Sequence, residues 1–396
     1  MVVEPKTRGF ICTTAHPVGC AANVAHQIEY VREHPHFEGV KKALIIGCST
    51  GYGLATRVAA AFGAGASTLG VAFERPASRT RTASAGWYNT AAFERFAGRD
   101  GLYAKTVMGD AFSDAVKEQV IDLIRSDLGK VDLVVYSLAA PRRTVGDTTY
   151  HSVLKPVGQP FTNKSLDVAK MEVDTVTIEP AAQEEIDATV KVMGGEDWRW
   201  WLEELREADV LAENATTLAY SYIGPELTYP VYHDGTVGLA KRDLAEAARA
   251  IDGELQAAGG HAYVSVNKAL VTQASAAIPV VPLYISILFK IMKEQGTHEG
   301  CIEQMYRLLA QKLYGPALEL DAEGFLRMDD RELAPAVQEK VDVAWQAISN
   351  ENLKTYADLE GYRREFFQLF GFEVDGVDYT ADVEIGVDIP SIGAAE

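Results

Sequence analysis

Residues 43–54 read Ala43-Leu44-Ile45-Ile46-Gly47-Cys48-Ser49-Thr50-Gly51-Tyr52-Gly53-Leu54: a short apolar run without alternation, a glycine-rich turn, and the start of an alanine-rich helical stretch reaching about Phe62. An unalternated run of this length is a strand buried on both faces, which requires a parallel sheet covered by helices. A second strand near Thr68–Phe73 ends at Glu74. Further runs at Leu102–Val107, Val131–Tyr136, Thr217–Tyr222 and Ala262–Val266 alternate with segments of helical period such as Ser113–Leu128. Strand and helix alternating in this way predict an α/β fold with a doubly wound parallel sheet.

The spacing is interrupted once. About 75 residues separate the strand ending at Ser137 from the one beginning near Thr217, far more than the loops of such units. The expectation is a single large domain over 1–396 with an insertion at 141–215 that holds a β element at Glu172–Ile178, a helix from Pro180 to Met193, and a helix with Trp198, Trp201, Leu202 and Leu205 on one face. Tryptophans at three- and four-residue spacing read as core rather than as a ligand platform. From Pro282 onward the chain reads as mostly helical. The apolar segment Ile278–Met292 reads as a buried helix, and the stretch 278–315 as a helical lid on the substrate side.

Composition narrows the function. The chain has 396 residues, 37 basic against 56 acidic, and a formal net charge of −19, which opposes binding to nucleic acid. Hydrophobic content of 47% and charged content of 23% are those of an ordinary globular protein. Cys12, Cys20, Cys48 and Cys301 show no C-x-x-C spacing, and Pro17 breaks any register that would join Cys12, His16 and Cys20 on zinc. The start carries no apolar signal region, and Ile278–Met292 is interrupted by Pro279, Pro282 and Lys290, so no membrane association and a cytoplasmic location are expected.

Gly47, Gly51 and Gly53 stand where a buried strand hands over to a helix, the position at which backbone N–H groups hold a pyrophosphate. The spacing is G-x-x-x-G-x-G, weak evidence alone, but an acidic residue, Glu74, ends the next strand 21 positions after Gly53. The expected dinucleotide site therefore comprises the whole turn, Gly47, Cys48, Ser49, Thr50, Gly51, Tyr52 and Gly53, then Phe73 and Glu74, Asp110 and Ala111 after the third strand, and Leu138 and Ala139 after the fourth. Glu74 would accept from the ribose hydroxyls and repel a 2′-phosphate, favouring NADH, although Arg75, Arg79 and Arg81 lie just beyond it. Asp110 reads equally well as a cap ahead of Ser113.

Tyr220, Tyr222, Tyr229 and Tyr232 fall within thirteen positions. Asp234-Gly235 then make a turn, and Thr236 is the expected N-cap of a helix to about Leu255, whose apolar stripe (Leu244, Ala248, Ile251, Leu255) also carries Lys241. A lysine on a buried face near the positive end of a helix is disfavoured by desolvation and by the macrodipole, so it needs a partner. Nine positions separate Tyr232 from Lys241, which puts them on opposite faces of one continuous helix. Both can face a cofactor only if Tyr232 lies outside that helix, on the Pro230–Gly235 loop.

With these residues in place the chain resembles the single-chain, NADH-dependent trans-2-enoyl reductases that act on enoyl-acyl-carrier-protein or enoyl-CoA. The resemblance rests on RGFICTTAHPVGC, GCSTGYGL, the tyrosine with eight residues before its lysine, NKALVTQASAAIPVVPLYISILFK, GTHEGCIEQMY and GFEVDGVDY, and spans essentially the whole chain. Arg242 stands where the family often has a second lysine. The resemblance implies a Rossmann-like fold of the extended short-chain-reductase type, with Tyr232 and Lys241 catalytic, Lys241 also on the cofactor, Tyr222 on the substrate, and Leu270, Val271 and Thr272 against the nicotinamide. A phenol aimed at the thioester oxygen would stabilise the enolate or supply a proton.

The implied activity is reduction of the trans-2 double bond of an enoyl thioester, the last reductive step of fatty acid elongation. A short-chain carbonyl reductase, or a non-catalytic NAD-binding redox regulator, are the alternatives. An acidic carrier protein or coenzyme A would need a local basic patch, for which Arg142, Arg143, Lys241, Arg242, Lys290 and Lys293 are available. The large insertion and helical C-terminal part favour a monomer.

Overall fold

The computed structural model describes residues 1–392 apart from 9, 10, 139, 169, 274, 276 and 277. A short antiparallel pair, β1 (Thr7–Arg8) and β2 (Ile11–Cys12), precedes helix α1 (Pro17–Arg32). The first half of the main sheet follows as β3 (Lys42–Ile46), α2 (Gly51–Val58), β4 (Ser67–Ala72), α3 (Ala85–Arg99), β5 (Ala104–Met108), α4 (Asp114–Leu123) and β6 (Val131–Tyr136). Helices α2 and α4 each run on into a wider π-helical turn, Ala59–Gly63 and Ile124–Leu128.

The chain then leaves the sheet for two antiparallel hairpins, β7 (Arg142–Val145) with β8 (Thr148–His151) and β9 (Phe161–Asp167) with β10 (Glu172–Ile178), and for helices α5 (Gln183–Met193) and α6 (Glu196–Glu207). It returns in β11 (Leu211–Ser221). This strand starts earlier than its apolar run suggests because Leu211 already pairs with Val131, and a register shift is needed before Thr216 pairs with Leu133. Residues 211–215 thus belong to the sheet. The single turn α7 (Tyr229–Tyr232), helix α8 (Thr236–Leu255), strand β12 (His261–Val266), helices α9 (Val281–Gln295) and α10 (Cys301–Arg307), strand β13 (Phe325–Arg327) and helices α11 (Pro335–Ala347), α12 (Leu353–Tyr356) and α13 (Leu359–Gln368) complete the fold.

All seven strands of the main sheet are parallel, in the order β13-β12-β11-β6-β3-β4-β5. Strand β13 is an addition to the sequence reading, in which the chain after Pro282 is mostly helical: three residues are too few to show a period, and the strand exists because β12 offers it a free edge. Successive residues of β3 serve opposite faces. Ala43 and Ile45 pack with α1, α2 and α10, whereas Leu44 and Ile46 pack with α4, α6 and α8. That is why the run does not alternate, and each buried leucine or isoleucine contributes about 1.5–3 kcal/mol. Trp198 and Trp201 are fully buried core residues on the second face. The order of the strands reverses between β3 and β6, so their C-terminal ends open a crevice of the kind that binds ligands in such sheets. No helix among the described residues is long and apolar enough to cross a membrane.

Candidate functional site

The glycine turn lies at that crevice. Gly47 has φ +86°, and a Cβ there would sit 2.1 Å from the carbonyl oxygen of Ser137, so only glycine lets the ends of β3 and β6 approach. A Cβ on Gly53 would lie 1.9 Å from the Gly47 carbonyl oxygen, which is how the turn folds back under α2. The Gly47 and Cys48 N–H groups donate to the Val71 carbonyl, fixing the turn to β4. Thr50 makes no side-chain cap, leaving the N–H groups of the first turn of α2 without the partner most helices provide. These are the features of a pyrophosphate cradle.

The expected cofactor residues divide by what their side chains do. Ser49 Oγ donates to Glu74 Oε1 at 2.7 Å, and Asn89 holds the Ser49 carbonyl at 3.1 Å. The carboxylate of Glu74 rests on Gly86, in the first turn of α3, and is about half-buried. Phe73 beside it is exposed, as are Arg79 and Arg81. Cys48 is taken by the core: its sulfur accepts from Arg57, a fully buried guanidinium that also bonds Thr68, Thr106 and the Lys105 carbonyl. Only its backbone faces the crevice turn. The Tyr52 hydroxyl donates to the Lys268 carbonyl and accepts from Gln304, tying the turn to the end of β12.

Asp110 does not cap α4. Ser113 does, accepting from the Val116 N–H, while Asp110 Oδ1 accepts from the Phe112 N–H and stiffens the turn between them. The Ala111 carbonyl accepts from Trp201 Nε1 at 3.1 Å and from Lys117 Nζ at 3.4 Å. Lys117 in turn pairs with buried Asp197 at 2.9 Å, which also accepts from the Tyr136 hydroxyl at 3.1 Å. The insertion thereby holds the loop after β5. Leu138 flanks Gly47, and Ala139 falls outside the described residues.

The phenols gather at the C-terminal end of β11. Tyr220 bonds the Thr56 hydroxyl, and its carbonyl accepts Lys241 Nζ at 3.0 Å. This is the partner the lysine required, and burial still pulls its pKa down to about 8. Tyr232 packs edge-on against Tyr222, ring centroids 4.7 Å apart. Burial, then the Glu332 charge, raise the Tyr232 pKa above the ordinary phenol range. Tyr232 is the last residue of α7, a complete helical turn where a loop was expected, and it is indeed outside α8. Thr236 is not the N-cap of α8. Gly235 is, and the Thr236 hydroxyl donates to the Val153 carbonyl of the insertion. Tyr229 turns aside to stack on His233. Leu270 and Val271 are buried just past β12, and the Thr272 N–H and hydroxyl are held by Ser275, so this segment borders the same end of the sheet.

Sequence reading missed what lies behind the phenols. Tyr222 donates to Glu332 Oε1 at 3.1 Å, Tyr284 to the same oxygen at 2.6 Å, and the Ala269 N–H to Oε2 at 2.6 Å. Lys268 is buried beside them, with a pKa lowered to about 8 by desolvation. Glu332 lies far along the chain from Tyr232, in no motif of its own, and only the pairing of β13 brings it here. The proposed basic patch also changes: Arg143 is buried, 2.9 Å from Glu196 and stacked on Trp200, so it offers no surface charge. Lys293, Lys290 and Arg242 each face a carboxylate already. Among the described residues no group of three or more His, Cys, Asp or Glu side chains could hold a metal.

A doubly wound parallel sheet with a glycine turn at its switch point, an acidic residue on the next strand and a tyrosine–lysine set at the neighbouring strand end defines a nicotinamide-dependent reductase. Family models match residues 2–79 (NAD(P)H binding domain of trans-2-enoyl-CoA reductase), 81–314 (trans-2-enoyl-CoA reductase catalytic region) and 320–383 (enoyl reductase FAD binding domain). The chain belongs to this trans-2-enoyl-CoA reductase family. It is 57% identical to the trans-2-enoyl-CoA reductase [NADH] of Ruminiclostridium cellulolyticum, over 99% of this chain and 100% of that one. It is 58% identical to the enoyl-[acyl-carrier-protein] reductase [NADH] of Burkholderia ambifaria, over 99% of each. The structure of Clostridium acetobutylicum trans-2-enoyl-CoA reductase in complex with NADH aligns with a TM-score of 0.95 at 47% identity, covering 97% of this chain and 98% of that one.

Residues 320–383 offer no Rossmann-type cradle for a flavin dinucleotide. Their described part adds β13 to the main sheet, packs α11 and α13 against α9, and delivers Glu332 to the phenol cluster, with no strand-to-helix glycine turn for a second dinucleotide.

Proposed function

We propose that the chain reduces the trans-2 double bond of enoyl thioesters with NADH, the last reductive step of fatty acid elongation, at the end of β11. The observation that carries this is the convergence there of Tyr222, Tyr232 and Lys241: one strand end holds the lysine through the Tyr220 carbonyl and the second phenol through the Tyr222 ring. Bound NADH supplies a hydride to the β-carbon of the thioester. The first turn of α2 holds the pyrophosphate, with Gly47, Cys48, Ser49, Thr50, Gly51, Tyr52 and Gly53 as its backbone. Glu74 accepts from the adenosine ribose, Phe73 flanks it, and Asp110, Ala111, Leu138 and Ala139 border the rest. Leu270, Val271 and Thr272 wall the nicotinamide. Lys241 reaches the nicotinamide ribose, and its charge favours ionisation of a neighbouring phenol. Tyr232 meets the negative charge that develops on the thioester oxygen, and Tyr222 touches the substrate.

The carrier is an acyl carrier protein or coenzyme A, the stretch 278–315 closes the acyl side as a lid, and the enzyme works as a cytoplasmic monomer. Support for the lid is the placement of α9, whose Tyr284 joins the phenol cluster. The test is NADH oxidation at 340 nm with crotonyl-CoA. Tyr232→Phe is expected to lower kcat about 100-fold or more, and Lys241→Ala to raise KM for NADH and lower kcat together. Full activity in both variants removes the catalytic assignment and leaves the cofactor site standing. Consumption of a β-ketoacyl substrate with no response to crotonyl-CoA would establish the carbonyl-reductase alternative instead.

A further inference from the structure

Behind Tyr222 the chain buries a carboxylate that the reaction does not require. Glu332 is completely shielded from solvent, in the bend between β13 and α11. One oxygen accepts two phenols, Tyr222 at 3.1 Å and Tyr284 of α9 at 2.6 Å; the other accepts the Ala269 N–H at 2.6 Å. Gln338 of α11 closes the cluster, its amide donating to the Tyr284 hydroxyl at 3.2 Å and to the Glu332 carbonyl at 2.7 Å. The Lys268 ammonium, on the Ala269 carbonyl at 2.9 Å and over the Phe289 ring, is the nearby positive charge.

A buried carboxylate is costly, and where only packing is needed an apolar residue serves as well or better. What a carboxylate alone can do here is accept two hydroxyl protons on one oxygen while the other holds a backbone N–H. The Tyr222 proton is thus directed away from the ring of Tyr232. Among the described residues no hydrogen bond engages the Tyr232 hydroxyl, although that residue is only 8% exposed. The two phenols are consequently in different states: one committed as a donor to the interior, the other uncommitted.

We infer that Glu332 is a positioning residue of the reductase: its carboxylate, anchored by Tyr284 of α9 and the Ala269 N–H after β12, holds the Tyr222 hydroxyl to the interior and so leaves Tyr232 as the phenol that addresses the thioester oxygen. The inference rests on the reading of this site given above and extends it to a residue outside the segment matched as the catalytic region. Tyr222 shapes the cleft by the face of its ring, and its hydroxyl is held by Glu332 rather than by the substrate.

The test is a double-mutant cycle in the full-length enzyme. Glu332→Gln keeps the volume but replaces one acceptor by an NH₂ group: toward Ala269 it meets the backbone N–H donor to donor, and toward the phenols it makes them acceptors, so the Tyr222 proton is no longer held to the interior. Its kcat with crotonyl-CoA is expected to fall by about tenfold or more while the NADH dissociation constant, read by fluorescence, stays within about twofold. Because Glu332 acts through Tyr222, the double variant with Tyr222→Phe is expected to be no slower than the slower single variant. Glu332→Asp, which keeps the charge and withdraws the oxygens by one methylene, gives the same non-additivity if the Gln variant does not fold. Losses that multiply in the double variant, or a Glu332→Gln enzyme at the wild-type rate, overturn the inference. Tyr232→Phe, measured alongside, separates the two readings: full turnover there removes the site assignment itself, whereas its collapse with multiplying Glu332 and Tyr222 effects removes only the role of Glu332.

Discussion

Gly86→Ala is a single methyl that interrogates the proposed ribose end of the cofactor site. Gly86 sits in the first turn of α3 with an ordinary helical backbone, so the substitution itself suits the helix and gains at most about 1 kcal/mol of propensity. The added Cβ, however, would lie 1.9 Å from Glu74 Oε1, 2.4 Å from its Cδ and 2.8 Å from Ser49 Cβ. The flexible partner is the carboxylate, so Glu74 swings out and loses the 2.7 Å bond from Ser49 Oγ, while Ser49 itself must give by a few tenths of an ångström. A charge-assisted bond is worth about 1.5–3 kcal/mol when buried and less at this half-exposed position, so the two protein terms nearly cancel and melting shifts by only a few degrees. Binding has no such compensation. If Glu74 accepts from the ribose hydroxyls, its displacement costs about 2–3 kcal/mol, or about 30- to 150-fold in the NADH dissociation constant. Fluorescence titration with NADH, and with NADPH in parallel, reads this directly; discrimination against NADPH should narrow, because the repelling charge has moved. An NADH affinity within about twofold of wild type at an unchanged melting temperature would refute the assignment of Glu74.

Two further perturbations probe the lysine and the insertion. Lys241 has its pKa lowered to about 8 by burial, so its ammonium is present below that value and lost above it; kcat/KM for NADH should fall as pH rises through about 8, about tenfold per unit. Lys241→Arg, charged throughout, should lack that alkaline limb at a lower plateau, and a limb that persists in it would assign the titration elsewhere. Lys117→Met leaves Asp197 buried without its cation, which should cost about 3–5 kcal/mol in guanidinium denaturation; a loss below about 1 kcal/mol would show that Tyr136 and Arg143 suffice to hold the charge.

The parallel sheet was legible because its strands are buried on both faces and need apolar residues at every position, as Leu44-Ile45-Ile46 and Val134-Val135 do. Helix α8 was legible through its apolar stripe to Leu255, and at its start to within one residue, Gly235 rather than Thr236 being the cap. The glycine turn and Glu74 carry their own spacing. Two things were not readable. Strand β13 is too short for any period, and Glu332, which depends on it, is identifiable only once β12 and β13 pair. Arg143 reads as a surface cation in sequence and is a core residue, since its guanidinium lies over the Trp200 ring and is met by Glu196, a partner distant along the chain.

The nine-position interval between Tyr232 and Lys241 raises a geometric question that the fold answers with the insertion. Helix α7 ends at Tyr232 and α8 begins at Thr236, so the chain must bend sharply at Gly235, where a Cβ would sit 2.3 Å from the Val231 carbonyl oxygen and 2.8 Å from that of Lys155. A stretch of backbone from the insertion lies against this bend. The Thr236 N–H donates to the Lys155 carbonyl at 3.0 Å, the Thr236 hydroxyl to the Val153 carbonyl, and the Lys155 N–H returns to that hydroxyl at 3.3 Å. These bonds hold α7 at a fixed angle to α8, which a glycine bend alone leaves free. A continuous helix would have placed the two residues on opposite faces. Breaking it and strapping the break with residues 153–155 lets the Tyr232 ring reach Tyr222 while Lys241 reaches the Tyr220 carbonyl, both at the same end of β11. The excursion from the sheet is therefore part of what aligns the phenol and the lysine, as well as a cover for the loop after β5.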